Sequence, residues 1–412
     1  DEAVAERSDI SRSLGGHSRP GGFGRRLFLG QGGALRAKQQ QARQEGDVRS
    51  PRHGSPPLGP RADQGFAHGR GAPAAGQPPA LRVRGEIERV KFKVLDSDDL
   101  RGMLYEIAPE QKIKMFEENG DIDFGYEIPG LARYRANFFM QRNGVAAVFR
   151  EIPSAILTAD QLGLPPVVSK LATLPRGLVL VTGPTGSGKS TTLAAIVDVA
   201  NRQRKDHIIT VEDPIEFVHQ SQGCIVNHRE VGVHTNSFST ALRGALREDP
   251  DVILVGEMRD LETISLAVEA ASTGHLVFST LHTSSAYKSV DRVIEVFPSQ
   301  EQPLIRSTLA DGLRAVVAQT LFKRIDRKGR VAALEILIAN PAVRNLIREG
   351  KTHQIPSMIQ TGKKYGMILL DDSIMDLFKK GIISADEAYA KSNEKGRFRA
   401  MLKAPPADFT EA

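Results

Sequence analysis

The stretch GLVLVTGPTGSGKSTTLAAIVDVA constrains this chain more than any other. A short apolar strand, Leu178 to Thr182, runs through a glycine-rich turn into an amphipathic helix that begins near Lys189. The turn matches the phosphate-cradling loop GxxxxGK[ST] over Gly183, Pro184, Thr185, Gly186, Ser187, Gly188, Lys189 and Ser190, with Thr191 next in line. Glycines let successive backbone N–H groups turn towards a polyphosphate, and the amino end of the following helix adds its positive pole at the same point. In that arrangement Lys189 lies against the β- and γ-phosphates and Ser190 offers its hydroxyl to Mg²⁺. A turn built only to pack a strand on a helix has no use for Lys-Ser at that offset.

Further apolar segments follow, Ile208 to Glu212, Val252 to Glu257 and Leu276 to His282, separated by helix-like stretches. Short, nearly continuous apolar strands alternating with helices imply an α/β fold with a parallel sheet covered on both faces. Ligands of such sheets gather at the carboxyl ends of the strands. There the chain places Glu212, Asp213 and Glu216 (IITVEDPIEF), Glu257 (DVILVGEMRD), and Thr280, His282 and Thr283 (LVFSTLHTS). Taken singly, an acid there reads as a helix cap and a histidine as a core residue; their joint occurrence behind a phosphate loop points to a nucleotide site. Glu257 is displaced, because Gly256 stands where the strand-end acid is expected.

Charge and composition narrow the partners. Of the net charge of +6, residues 1–80 carry +5, with 11 Arg and one Lys against seven acids; the remainder is close to neutral and has no tryptophan. A nucleic-acid motor needs a basic, aromatic-bearing groove, so that class is disfavoured and no nucleic-acid partner is expected. The single cysteine, Cys224, excludes an internal disulfide and fits a cytoplasmic setting. No run approaches the ~20 apolar residues of a membrane span.

The chain divides by texture. Residues 1–80 hold 15 glycines and no sustained apolar period, and are expected to be a disordered tail. GRRLFLG within it has only a chance likeness to an export signal, since no apolar stretch follows. Residues 81–150 read as a small α+β domain. In it Leu100, Leu104, Ile107, Ile113 and Phe116 fall at helical spacings broken by Pro109, and two alternating runs are joined by Asn143-Gly144, a hairpin signal. Residues 151–166 read as a linker, 167–340 as the nucleotide domain and 341–412 as a helical carboxyl-terminal region.

The four ordered motifs GPTGSGKS, ITVEDPIEF, DPDVILVGEMRD and TGHLVFSTLHT resemble the Walker A, Asp-box, atypical Walker B and His-box sequences of the secretion ATPase superfamily that drives type II secretion and type IV pili. The resemblance spans about residues 81–403. It implies a RecA-like ATPase domain with a PAS-like amino-terminal domain, ATP and Mg²⁺ as ligands, and a homohexamer. It also implies site roles. Glu257 acts on Mg²⁺ beside Ser190, Glu216 polarises the attacking water, His282 is catalytic, and Arg133 and Arg135, facing one side of a hairpin strand, reach the nucleotide when the amino-terminal domain closes. The four-cysteine motif usual in extension and export members is missing. PAVRNLIREGKTHQIPSMIQTGKKYGMILLDDSIMDLFKKGIISADEA instead resembles the pilus-retraction branch, with Ala342 to Gly350 matching its signature helix. That branch implies a motor at the cytoplasmic face of the inner membrane, held there by partners: a membrane platform protein and other pilus motor ATPases. The strand and helix that open the PAS-like domain in the family are not recognisable here.

Overall fold

The computed structural model describes residues 70–403 apart from 84–85, 129–131 and 153–154. Residues 1–69 of the expected disordered tail and residues 404–412 of the expected helical region lie outside the described residues.

Alternating sequence at the amino-terminal end becomes an antiparallel sheet. The elements are β1 (Arg70–Ala72), β2 (Ala80–Val83), β3 (Glu86–Arg89), α1 (Ser97–Tyr105), α2 (Glu110–Asn119), β4 (Asp121–Ile128), β5 (Ala132–Gln141) and β6 (Gly144–Ile152), in strand order β3-β2-β1-β6-β5-β4. Asp96 caps α1 by accepting the backbone N–H groups of Asp98 and Asp99, and Pro109 separates α1 from α2, as the broken periodicity predicts. Leu100, Leu104 and Phe116 pack with Phe124, Phe138 and Val145 of the sheet in one core. Side chains alternate across a strand, so Arg133, Arg135 and Asn137 stand on the opposite face.

Two details depart from expectation. Gln141 pairs with Gly144, so Arg142 and Asn143 form the turn and Gly144 opens β6 at φ +116°. A Cβ at Gly144 would lie 2.2 Å from Ser97 Oγ; the glycine is needed for α1 to pack on the hairpin as much as for the turn. The sheet also starts at Arg70 rather than residue 81. β1 pairs with β6, Ala75 N–H donates to Val145 O (3.1 Å) and Ala147 N–H to Pro73 O (2.9 Å). The glycine and proline content that reads as disorder is here a short strand and turn that cover the open edge of β6.

The nucleotide domain comprises α3 (Ala159–Leu162), α4 (Pro166–Leu171), β7 (Gly177–Thr182), α5 (Lys189–Gln203), β8 (His207–Glu212), β9 (Ile225–Glu230), α6 (Phe238–Ala245), β10 (Val252–Val255), α7 (Leu261–Thr273), β11 (Leu276–Leu281), α8 (Ala286–Glu295), α9 (Gln302–Gly312), β12 (Leu313–Lys323) and β13 (Arg330–Ile338). The strand order is β13-β12-β7-β11-β10-β8-β9, parallel throughout except for the β12-β13 pair. Leu178, Leu180, Ile253 and Val277 point into one core and Val179, Val181, Leu254 and Phe278 into the other, so both faces are buried. This is the reason the strands read as unbroken apolar runs. The expected linker is shorter than 151–166: β6 extends to Ile152, and Ala159 and Leu164 are buried in the second core.

The carboxyl-terminal helices are α10 (Pro341–Arg348), α11 (Ile355–Thr361), α12 (Leu370–Lys379), α13 (Ala385–Lys391) and α14 (Lys395–Arg399). Val343, Ile347, Ile355 and Ile359 join the first core of the nucleotide domain, so residue 341 marks a change of texture and not a break in packing. Ile374, Ala388 and Phe398 gather around Phe322 and Ala333 of the β12-β13 hairpin. Among the described residues no helix is long and apolar enough to cross a membrane. A chain beginning at Ala80 loses β1 and the hydrogen bonds it makes to β6; its first melting transition is expected to fall at least ~5 °C below that of a chain beginning at Arg70, measured by calorimetry, and equal values would show that β1 adds nothing.

Candidate active site

The site is built where β7, β8, β10 and β11 end. The loop after β7 turns back on itself at Gly183, whose φ is +142°; a Cβ there would meet Gln319 O at 2.4 Å and Ser187 Oγ at 2.6 Å. Buried Gln319 of β12 holds the loop from behind, donating its amide to Ser187 O and accepting the Thr192 hydroxyl at 2.8 Å. Pro184, Thr185 and Gly186 are exposed at the crest of the loop, while Ser187 is buried. Lys189 opens α5 and curls its ammonium into the loop, donating to Gly183 O (3.0 Å) and Pro184 O (3.3 Å). Burial lowers the pKa of this ammonium, while Glu257 and Glu216 act to raise it.

From Lys189 a line of polar groups leads across the strand ends. His282 Nδ1 lies 3.5 Å from Lys189 Nζ, and His282 Nε2 lies 2.7 Å from Glu257 Oε1. The same oxygen accepts Arg259 Nε at 2.7 Å. Burial pushes the Glu257 carboxyl up, but Arg259 and His282 outweigh that push and hold it below the usual range. Glu257 is steadied from β11: Ser279 Oγ donates to Val255 O and Thr280 Oγ1 to Gly256 O, each at 2.7 Å. Displaced from the strand end by Gly256, Glu257 nevertheless reaches the loop lysine through the width of one imidazole.

Glu216 belongs to a second group of contacts. Its backbone N–H meets Glu212 Oε2 at 3.4 Å, and its carboxylate lies 4.0 Å from Arg135 Nη1. Arg135 is itself bound to Asp123 through Nε at 2.8 Å. Arg133 donates to Ile215 O (3.1 Å) and sits 3.6 Å from Glu230, a buried carboxylate that accepts Ile215 N–H at 3.1 Å. The polar face of the amino-terminal sheet is therefore pinned to the segment carrying Glu216. Arg133 and Arg135, expected to reach the nucleotide when the amino-terminal domain closes, contact this segment in the structure.

Several site residues carry no motif. Gln319 and Glu335 are polar residues inside apolar strand sequences (AVVAQTLF, AALEILI), a signal that was available. Buried Glu335 accepts the Ala286 N–H at 2.7 Å, at the start of the helix that follows His282. His219 and His228 stack with ring centroids 6.0 Å apart, and nothing in their spacing announces it. A small cleft is lined by Ser190, Leu193, Glu212, His219, Gly256 and Thr280, joining Ser190 to Glu212. Its oxygen donors, the hydroxyls of Ser190 and Thr280 and the carboxylate of Glu212, suit a hard divalent cation, beside the His219 imidazole and the apolar walls of Leu193, Phe217 and Leu254. Among the described residues no cluster of three or more His, Cys, Asp or Glu could hold a metal by itself, so a cation here would need the phosphates as further ligands.

A parallel sheet with this loop, lysine and acid at its carboxyl edge defines a P-loop ATPase. The chain belongs to the family described as "Type II/IV secretion system protein", which matches residues 141–354. It is 54% identical over 319 residues to the "Type IV pilus retractation ATPase PilT" of Pseudomonas aeruginosa, covering 77% of this chain and 92% of that protein. It is 52% identical over 310 residues to the "Twitching motility protein" of Neisseria gonorrhoeae, covering 75% of this chain and 83% of that one. Among solved structures, the "Pilus Retraction Motor PilT and Bound ADP" is 44% identical with a TM-score of 0.74, covering 81% of this chain and 95% of that chain.

The stacked histidines make a testable pH element. Burial, with His228 beside it, drives the pKa of His219 from 6.5 down to about 4, against the opposing pull of Glu212 and Asp198. His219 is neutral in the fold but takes up a proton on unfolding below pH 6.5, so it costs stability progressively as pH falls from 6.5 towards 4. At pH 5 this amounts to roughly 2 kcal/mol. A His219→Gln variant is expected to lose less melting temperature than the parent between pH 7 and pH 5; equal losses would assign the acid sensitivity elsewhere.

Proposed function

We propose that this chain is a Mg²⁺-dependent motor that hydrolyses ATP to withdraw type IV pili, working as a homohexamer at the cytoplasmic face of the inner membrane. Supporting this reading above all is the 54% identity that runs through 92% of a relative named for pilus retraction. The chain's own sequence adds that the cysteine motif of extension and export members is missing, with Cys224 alone and buried. A pilus platform protein and other pilus motor ATPases are its proposed partners.

Phosphoryl transfer needs positioning and charge stabilisation more than covalent chemistry. Lys189 is already directed into the loop and would exchange its carbonyl contacts for the β- and γ-phosphates. Ser190 and Glu257 would hold the Mg²⁺, which neutralises charge on the phosphates. His282, between Lys189 and Glu257, orients both and senses the γ-phosphate side of the loop. Glu216 would orient the attacking water and accept its proton. Because Arg133 and Arg135 grip the Glu216 segment, movement of the amino-terminal sheet moves the proposed base relative to the loop; hydrolysis and domain motion are coupled through that contact.

Three substitutions test the roles. Lys189→Ala should abolish hydrolysis, while Glu216→Gln and Glu257→Gln should still bind ATP and hydrolyse it ~10² fold or more slower, measured by phosphate release. Normal turnover in both glutamine variants would overturn the assignments.

Coupling is tested separately on α10. Val343 and Ile347 are fully buried, whereas Arg348 is exposed and pairs with Asp311 of α9. An exposed pair is worth at most about 1 kcal/mol, so Arg348→Glu should fold and keep most ATP hydrolysis. Twitching motility of cells carrying it should be lost; wild-type motility would show that this face does not transmit motion.

A further inference from the structure

The displaced acid of the Walker B-like strand leaves a gap that another residue fills. β8 and β10 run parallel with Val211 beside Val255, which brings Glu212 next to Gly256. A Cβ built on Gly256 would lie 3.2 Å from Val211 O, 3.3 Å from Glu212 Cα and 3.6 Å from Glu212 Cγ. A side chain at the strand-end position would press closely on β8, and the position is flanked by the side chain of Glu212. We propose that Glu212 supplies the carboxylate that Gly256 withholds, and that it faces the divalent cation of the bound nucleotide across the cleft from Ser190.

Three observations carry this beyond proximity. First, Glu212 Oε1 is buried and makes no hydrogen bond. Its nearest positive candidate, His228 Nδ1, is 3.9 Å away and lies 2.8 Å from Thr210 Oγ1, while the other ring nitrogen meets the His219 backbone. A buried carboxylate oxygen without a donor is costly, and a cation or its bound water removes that cost. Second, the cleft that Glu212 shares with Ser190 is also lined by His219, only 4% exposed, whose Nδ1 is likewise without a partner. Two residues that each carry an unpartnered polar atom thus line one small cleft beside the phosphate loop, whose other walls include Leu193, Phe217 and Leu254. Third, Glu257 Oε1 already takes both His282 and Arg259, so one of its two oxygens is committed on the lysine side. A second acid from β8 restores the negative charge that a strand-end carboxylate would bring to the cation.

This inference rests on the ATPase reading, and the experiment separates the two. ADP binding to the full chain is measured by calorimetry with Mg²⁺ and with EDTA, and Mn²⁺ uptake in the presence of ADP is followed by electron paramagnetic resonance. The Glu212→Gln variant is expected to bind ADP in EDTA as the parent does, yet to lose at least ~10 fold of the affinity that the cation adds, with a matching loss of bound Mn²⁺. Retention of the full cation increment would overturn the proposal. So would a loss of ADP binding in EDTA, which would assign Glu212 to holding the loop instead. If Glu212→Gln does not fold, Glu212→Asp decides: a reduced cation increment supports the role and an unchanged one overturns it. Lys189→Ala is the control for the underlying reading. Should it bind ADP like the parent under both conditions, the phosphate loop assignment fails irrespective of Glu212.

Discussion

Parallel pairing of β7, β8, β10 and β11 is the constraint on which the rest of the site depends. Parallel strands send all their carboxyl ends to one edge, so the loop of Lys189, the acids after β8 and β10 and the histidine after β11 converge without any contact between them being specified in advance. The same pairing requires helices on both faces, and the two cores divide the strand side chains between them almost residue by residue. A frame packed on both sides has little freedom to relax. At its edge the backbone packs closely, with Gly183 against Gln319 and Gly256 against Glu212 leaving little room for a larger residue.

On this frame the amino-terminal sheet acts through one polar contact. Arg133 binds the carbonyl of Ile215 and lies near Glu230, which takes the N–H of the same residue, so the two peptides flanking the Ile215 Cα are both held immediately before Glu216. Such half-buried, charge-assisted contacts are strong enough to order a segment and can still exchange partners when domains move. The proposed base thus belongs mechanically to the domain contact as much as to the nucleotide domain. At the far side, buried Glu335 accepts the first N–H of α8, bringing the β12-β13 hairpin, on which the carboxyl-terminal helices pack, to within one hydrogen bond of the His282 loop.

The two glycine-framed positions also separate two ways of placing an acid. A strand-end acid is placed by its own backbone. Here the backbone at that point is glycine, one acid follows on the loop, and another stands at the end of the neighbouring strand, so the negative charge is spread over two adjacent elements.

Much was legible in the amino-acid sequence because it follows from local chemistry. The loop from Gly183 to Ser190 combines glycines, lysine and hydroxyl at the spacing a phosphate needs; Pro109 breaks a helix; unbroken apolar runs fit strands buried on both faces; and among the polar residues at the strand ends it is the family resemblance that singles out Glu216, Glu257 and His282. Other features were decided only by the tertiary structure, because they depend on what lies across a gap. The ten residues from Arg70 look too rich in glycine and proline to be ordered, and become a strand and turn only because β6 offers an unpaired edge. Asn143-Gly144 signals a hairpin, but the turn falls on Arg142 and Asn143, and Gly144 stands where a side chain would meet Ser97. The destination of Arg133 and Arg135 depends on which segment the polar face of the sheet meets, and alternation along a strand specifies only the face. Glu212 could be singled out as an acid at a strand end. That one of its oxygens is buried without a partner, beside a glycine on the neighbouring strand, is a property of register and packing that no single stretch of chain contains.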